Sequence, residues 1–228
     1  MKRVDQIREN LDTVRAKIDA AAAKAGRSTD EITLIAVTKS FPLSDLEILY
    51  SLGVRQFGEN RDQEASSKVE QLPSDINWHF QGQIQSNKLK SITNWACCIH
   101  SVDQIKYAQI ISEQSSGQPK PIFIQVSLDQ PPESRGGVDP AKLIELANQI
   151  TKLPGVALQG LMAVAPTDSP TESAFANLSK IHGDFLLTFS NAKSLSSGMS
   201  GDYEMAISYG ATHLRIGSSI LGNRDQIA

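Results

Sequence analysis

Eight short apolar runs punctuate this chain, at residues 32–38, 55–58, 77–81, 97–101, 121–128, 156–162, 194–198 and 212–216, and each reads as a buried strand. Between and after them the apolar spacing shifts to helical at 43–52, 61–71, 86–92, 102–114, 140–152, 170–188 and 202–209. Helix-start signals reinforce several of these segments: Ser101 with Gln104 three residues on, and Asp139 followed by Pro140 at the first helical position. An additional helix precedes the series, with Val4, Ile7, Leu11, Val14, Ile18 and Ala22 on one face. Eight strands alternating with helices over about 200 residues predict an α/β fold of the (β/α)₈ barrel type, one domain over 1–228 with an extra N-terminal helix. A doubly wound open sheet is the rival, and it would normally use fewer strands. The stretch 129–138, with paired prolines and glycines, is expected to be a mobile loop over one mouth of the barrel.

Barrels of this kind place their chemistry at the C-terminal ends of the strands, with phosphate commonly held by the loops after strands seven and eight. Lys39 closes the first apolar run, Leu34-Ile35-Ala36-Val37-Thr38, where a strand would carry one amine to the rim of an apolar pocket. A lysine at a strand end is often only a surface residue. Partly removed from water, however, its ammonium loses hydration, and the neutral nucleophile that attacks an aldehyde to form an imine becomes accessible. Downstream lie two small-residue loops, Ser197-Gly198-Met199-Ser200-Gly201-Asp202 and Arg215-Ile216-Gly217-Ser218-Ser219, of the kind that bind an anion through backbone amides and hydroxyls. The amides that open the helical stretch 203–209 are expected to face the same anion. Either loop alone would usually only reverse the chain. Together, beside Lys39 on one mouth, they match the two ends of pyridoxal 5′-phosphate: an aldehyde for the amine and a phosphate for the loops.

Other residues fall near this mouth. Asn60 either hydrogen-bonds a ligand ring or caps the following helix. His79 reads as a satisfied core histidine, and Met162 as packing against something flat and apolar. Arg215, near a pyridine nitrogen, would keep that nitrogen unprotonated; alternatively it belongs to a buried ion pair with no evident partner. Glu59 and Asp202 read as helix-start charges. The formal net charge of −3 comes from interspersed acidic and basic residues, which argues against nucleic-acid or lipid-surface binding. The only cysteines, Cys97 and Cys98, are adjacent, which suits a reducing compartment, and with no targeting or membrane-spanning segment the expected location is the cytoplasm.

The stretches Ala36-Val37-Thr38-Lys39, Phe57-Gly58-Glu59-Asn60, Trp78-His79-Phe80-Gln81-Gly82 with Gln85-Ser86-Asn87-Lys88, Leu161-Met162-Ala163, Gly198-Met199-Ser200 and Arg215-Ile216-Gly217 closely resemble the pyridoxal phosphate homeostasis family. That family's barrel is similar to the N-terminal domain of alanine racemase. The resemblance implies that Lys39 holds the cofactor as an internal aldimine and that Arg215 approaches the pyridine nitrogen. It further implies that Ser200, Gly217 and Ser218 bind the phosphate, and that Asn60 and Met162 line the ring. Gln81 departs from the family's usual aliphatic residue, as Ser197 and Gly201 depart from its usual neighbours in the serine loop.

An amino-acid racemase needs acid/base groups on both faces of its substrate, and in alanine racemase the second comes from a C-terminal β domain for which this chain has no room. The expectation is therefore a non-catalytic holder of pyridoxal phosphate that serves vitamin B6 and amino-acid homeostasis. It is expected to act as a monomer, to need no metal, and to have pyridoxal-phosphate-dependent enzymes as candidate partners. A small racemase or lyase, with His79 or a partner supplying the missing base, remains the alternative. So does a sugar-phosphate barrel in which Lys39 is merely a cation.

Overall fold

The computed structural model describes residues 2–129, 136–166 and 171–222. Its centre is a closed barrel of parallel strands in sequential order: β1 (Thr33–Val37), β2 (Gln56–Glu59), β3 (Asn77–Phe80), β4 (Cys98–Val102), β5 (Lys120–Gln125), β6 (Val156–Met162), β7 (Ser194–Ser196) and β8 (His213–Ile216). β1 closes the ring against β8 in the register Thr33↔His213 through Ala36↔Ile216. Around it run α1 (Arg3–Lys24), α2 (Leu43–Ser51), α3 (Asp62–Gln71), α4 (Leu89–Trp95), α5 (Ile105–Gln114), α6 (Leu143–Ile150), α7 (Thr171–Leu186), α8 (Tyr203–Ser208) and the single turn α9 (Ser218–Leu221). The expected (β/α)₈ barrel with an extra N-terminal helix is the fold observed.

The apolar face of α1 is buried at Ile7, Leu11, Val14, Ile18 and Ala22, and it packs on α8 and α9. Polar contacts fix its orientation. Arg3 pairs with Asp45 on α2 through Nε at 3.0 Å and Nη2 at 2.5 Å, and it also donates to the Leu221 carbonyl at 2.9 Å. Asn10 Nδ2 donates to the Ile220 carbonyl at 3.0 Å. Both carbonyls lie at the end of α9, where a four-residue helix leaves its last acceptors unsatisfied, so α1 caps the turn that follows β8.

The boundaries differ from the expected ones for local reasons. Ser101 does not cap a helix: it lies inside β4 and its Oγ donates to the Gly82 carbonyl, while α5 begins after Gln104. Asp139 does cap, accepting from Ala141 N at 2.9 Å, but the turn it starts is a 3₁₀ helix, Pro140–Lys142, that leads into α6. β7 ends at Ser196 because Gly198, at φ 91°, turns the chain over α8; a Cβ there would meet that of Ala206 at 2.7 Å. Most of the expected loop at 129–138 lies outside the described residues.

Gly160 in β6 has φ 153° and lies against the neighbouring strand, so that a Cβ would sit 1.8 Å from the Ser194 carbonyl oxygen. Gly183, mid-helix in α7, has nothing within 4 Å of the same position. We expect Gly160→Ala to lose most of the native stability and Gly183→Ala to gain about 0.5–1 kcal/mol, measured by urea unfolding. Equal effects of the two would show that β6 and β7 are not this close.

Candidate functional site

At the C-terminal ends of the strands lies a cavity of about 870 Å³ whose lining includes Lys39, Asn60, Met162, Ser200, Arg215, Gly217 and Ser218. Every residue expected from sequence to face a ligand is therefore gathered at one mouth. Lys39 follows β1 by two residues and is half-buried, Asn60 follows β2, and Met162 ends β6 with its side chain buried. Gln81, Gly82 and Gln83 after β3 add to this wall, and the turns after β7 and β8 close the other side.

Those two turns are locked together. Ser200 Oγ accepts from the amides of Gly217 and Ser219, each at 3.2 Å, and Ser219 Oγ donates to the Ser200 carbonyl at 3.1 Å. Gly217 lies close against β1, since a Cβ would be 3.1 Å from the Val37 carbonyl oxygen. Asp202 N and Tyr203 N both donate to the Met199 carbonyl, and Asp202 Oδ1 accepts from Met199 N at 2.6 Å. That tight turn takes the amides of Asp202 and Tyr203, so Asp202 is a helix-start residue as expected, and the amides that meet Ser200 Oγ are those of Gly217 and Ser219.

Across the cavity, Asn60 caps nothing: α3 starts after Arg61 with no side-chain cap, and Asn60 Oδ1 is a buried oxygen without a partner. Gln81 Nε2 is likewise buried and unpartnered. Buried polar atoms are almost always hydrogen-bonded, so unsatisfied ones in a cavity wall are the places where a ligand would supply the missing contact. Together with the hydroxyls of Ser200 and Ser218 and the amine of Lys39, they suit a small polar ring carrying an anionic arm.

Arg215 forms the floor. Nη1 donates to the Ser196 carbonyl at 2.7 Å and to Ser196 Oγ at 2.8 Å, and Nη2 donates to the Ala163 carbonyl at 2.9 Å. Burial pulls its pKa down to about 10, against the field of Asp202, and it stays cationic at neutral pH. It is held by neutral acceptors rather than in the ion pair considered from sequence.

Below it a hydrogen-bonded column runs down the barrel. Ser196 Oγ meets His100 Nδ1 at 2.8 Å, His100 Nε2 meets His79 Nδ1 at 2.9 Å, and His79 Nε2 meets Gln56 Oε1 at 2.8 Å. With Arg215 donating to Ser196, one polarity satisfies every member: each imidazole is neutral with its proton on Nε2, and the last donates to Gln56 Oε1. His79 is thus the satisfied core residue it was expected to be. Ligand atoms of His79, Cys98 and His100 come within 4.8 Å of one another, but the ring nitrogens are already spent in the column.

Glu59 corrects the sequence reading. It is fully buried, not a helix-start charge, and Glu59 Oε1 accepts from Lys68 Nζ and from Thr38 Oγ1, each at 2.7 Å. Lys68, on α3, went unnoticed in the sequence, although its spacing of four from Glu64 signals a helical ion pair. The column partners His100 and Ser196 were missed as well; their sign is an inward-facing polar residue inside an apolar strand.

The chain matches the family described as "Alanine racemase, N-terminal domain" over residues 4–225. A pyridoxal phosphate homeostasis protein of Pseudomonas aeruginosa is 40% identical over 224 residues, covering 96% of each chain. The protein of the same name from Escherichia coli is 36% identical over 235 residues, covering 97% of this chain and 98% of its own. Among solved structures, PipY of Synechococcus elongatus with PLP bound aligns with a TM-score of 0.83 at 32% identity, covering 95% of this chain and all of that one. A Clostridium difficile alanine racemase, at 15% identity and a TM-score of 0.74, shares the fold over 59% of its length.

Burial holds His79 neutral down to about 3, holds His100 well below the usual imidazole range, and, outside the column, holds His213 neutral down to about 4. Because the folded chain resists protonation that the unfolded chain accepts, the column's stability is fully present above about pH 6.5 and is lost on acidification. Urea unfolding should show stability falling between about pH 6.5 and about pH 5 with a slope of about 1.4 kcal/mol per pH unit for each such imidazole. A flat profile over that window would contradict the column.

Proposed function

We propose, from the premise that this chain belongs to the pyridoxal phosphate homeostasis proteins of the alanine racemase N-terminal domain family, that it binds pyridoxal 5′-phosphate and serves vitamin B6 and amino-acid homeostasis. The observation that carries the reading is a single cavity with the Lys39 amine on one wall, the Ser200, Gly217 and Ser218 donors on another and the Arg215 guanidinium beneath. When bound, the cofactor supplies an aldehyde carbon that a primary amine attacks with loss of water. Lys39 is that amine. Ser200 and Ser218 offer hydroxyls to the phosphate, the Gly217 amide exchanges its bond to Ser200 Oγ for one to the same phosphate, Asn60 Oδ1 and Gln81 Nε2 gain partners at the ring edge, and Met162 packs against its face.

A holder rather than a catalyst fits the lining best. Among the described residues of the wall, Lys39 and Arg215 are the ionisable ones, so no carboxylate, imidazole, thiol or phenol is placed to take a substrate proton on the face away from Lys39. Arg215, cationic and fixed by three acceptors, presents a donor toward a ring nitrogen and leaves that nitrogen unprotonated, which weakens electron withdrawal by the ring. The chain works as a single barrel that takes up and releases the cofactor in the cytoplasm, without a membrane or nucleic-acid partner; among the described residues, no helix is long and apolar enough to cross a membrane.

Mixing the purified protein with pyridoxal phosphate should produce a chromophore distinct from that of the free cofactor, absent from Lys39→Ala. Ser200→Ala combined with Ser218→Ala should weaken affinity about ten-fold or more. An unchanged spectrum would favour a phosphate-binding barrel with Lys39 as a simple cation. Lys39-dependent exchange of solvent deuterium into the α-carbon of an added amino acid would establish racemase-type chemistry and overturn the holder reading.

A further inference from the structure

The chain around Lys39 is gripped by charged residues that do not line its cavity. Lys68 Nζ donates to the Thr38 carbonyl at 2.8 Å and to Glu59 Oε1 and Glu64 Oε1 at 2.7 Å each, which uses all of its protons. Thr38 Oγ1 donates to the same Glu59 oxygen at 2.7 Å, and the Ser40 amide donates to Glu64 Oε1. The residues before and after Lys39 are therefore both tied to β2 and α3 through one cluster. Among the described residues, Ser40 is also the non-glycine residue with a positive φ, 65°, a conformation that persists only when its surroundings impose it.

A buried charge cluster is a poor way to stabilise a fold, because the desolvation of its ions offsets their attraction and apolar residues of equal volume would serve as well. Here the Lys68 and Glu59 side chains are 8% and 0% exposed. What such a cluster does well is specify one local conformation, because each hydrogen bond demands its partner in place. The geometry points to Glu59, Lys68 and Glu64 as positioning residues that fix the 38–40 turn so that the Lys39 amine enters the cavity in one direction. This rests on the reading of Lys39 as the residue that takes the aldehyde, and it adds what makes that lysine an effective nucleophile: a preset approach rather than a swinging chain.

The test separates attachment from binding. Pyridoxine 5′-phosphate has the ring and phosphate but no aldehyde, so its affinity reports the cradle alone, while the rate of chromophore formation with pyridoxal phosphate reports Lys39. Lys68→Met should slow chromophore formation about ten-fold or more and leave pyridoxine 5′-phosphate affinity within about two-fold. Glu64→Ala, whose side chain lies 26% exposed at the edge of the cluster, should show a smaller loss in the same direction. Lys120→Met removes a half-buried lysine that donates to the Ala96 carbonyl at the opposite end of the barrel, and should change neither quantity.

A wild-type rate in Lys68→Met, or a parallel loss of pyridoxine 5′-phosphate affinity, overturns the positioning role. Should Lys68→Met fail to fold, a wild-type rate in Glu64→Ala does the same. Attachment that persists in Lys39→Ala is a different failure: it removes the reading of Lys39 itself, and this inference with it.

Discussion

Closure of the barrel between β1 and β8 is the constraint on which the site depends. These strands are the first and last of the sheet, yet the register Ala36↔Ile216 sets Val37 beside Gly217, and the turn after β1 therefore meets the turn after β8. Gly217 makes the contact possible, because any side chain there would press on the Val37 carbonyl. An amine near one end of the chain and amide and hydroxyl donors near the other thus share one mouth, and neither could form a site alone. The N-terminal helix belongs to the same device, since Arg3 and Asn10 hold the carbonyls at the end of α9.

Among the described residues two cations are buried, and the fold treats them differently. Arg215 is held by neutral oxygens, with a guanidinium whose remaining donors are free to meet a ligand, and a column of neutral imidazoles and hydroxyls keeps those oxygens in place. Lys68 is neutralised by carboxylates and fully coordinated, so it has nothing left to offer a ligand and serves only its neighbours. Glu59 shows the balance in that cluster: burial raises its carboxyl pKa, against the pull of Lys68 and Thr38. The difference between these cations is one of role. An arginine with spare donors belongs to recognition, and a lysine with none belongs to architecture.

The strand series, the extra helix and the convergence of Lys39 with the two small-residue loops were legible in the sequence, because apolar periodicity and glycine-serine turns are local signals. Asn60 was ambiguous, since a cap and a ligand contact use the same amide; the structure separates them by starting α3 one residue later. What could not be read was everything that depends on two elements meeting only in the closed fold. Glu59 sits before a helix in sequence and looks like its first charge, but it points from β2 outward into the helix layer, and its partner lies nine residues on, on α3. His100 and Ser196, ninety-six residues apart, become neighbours only when β4 and β7 face each other across the closed sheet. A glycine turn before a helix suggests donors at its start; Asp202 folds that turn back on Met199, and the first of those donors, Tyr203 N, is engaged within it.

Family membership and geometry bear on different parts of the account: the family names the cofactor, and the cavity names the residue that should react with it. Reducing the cofactor-loaded protein with borohydride and mapping its peptides tests the link between them. The label should fall on the peptide that contains Lys39 and on no other. Label on a different side chain, or none at all, would contradict the account.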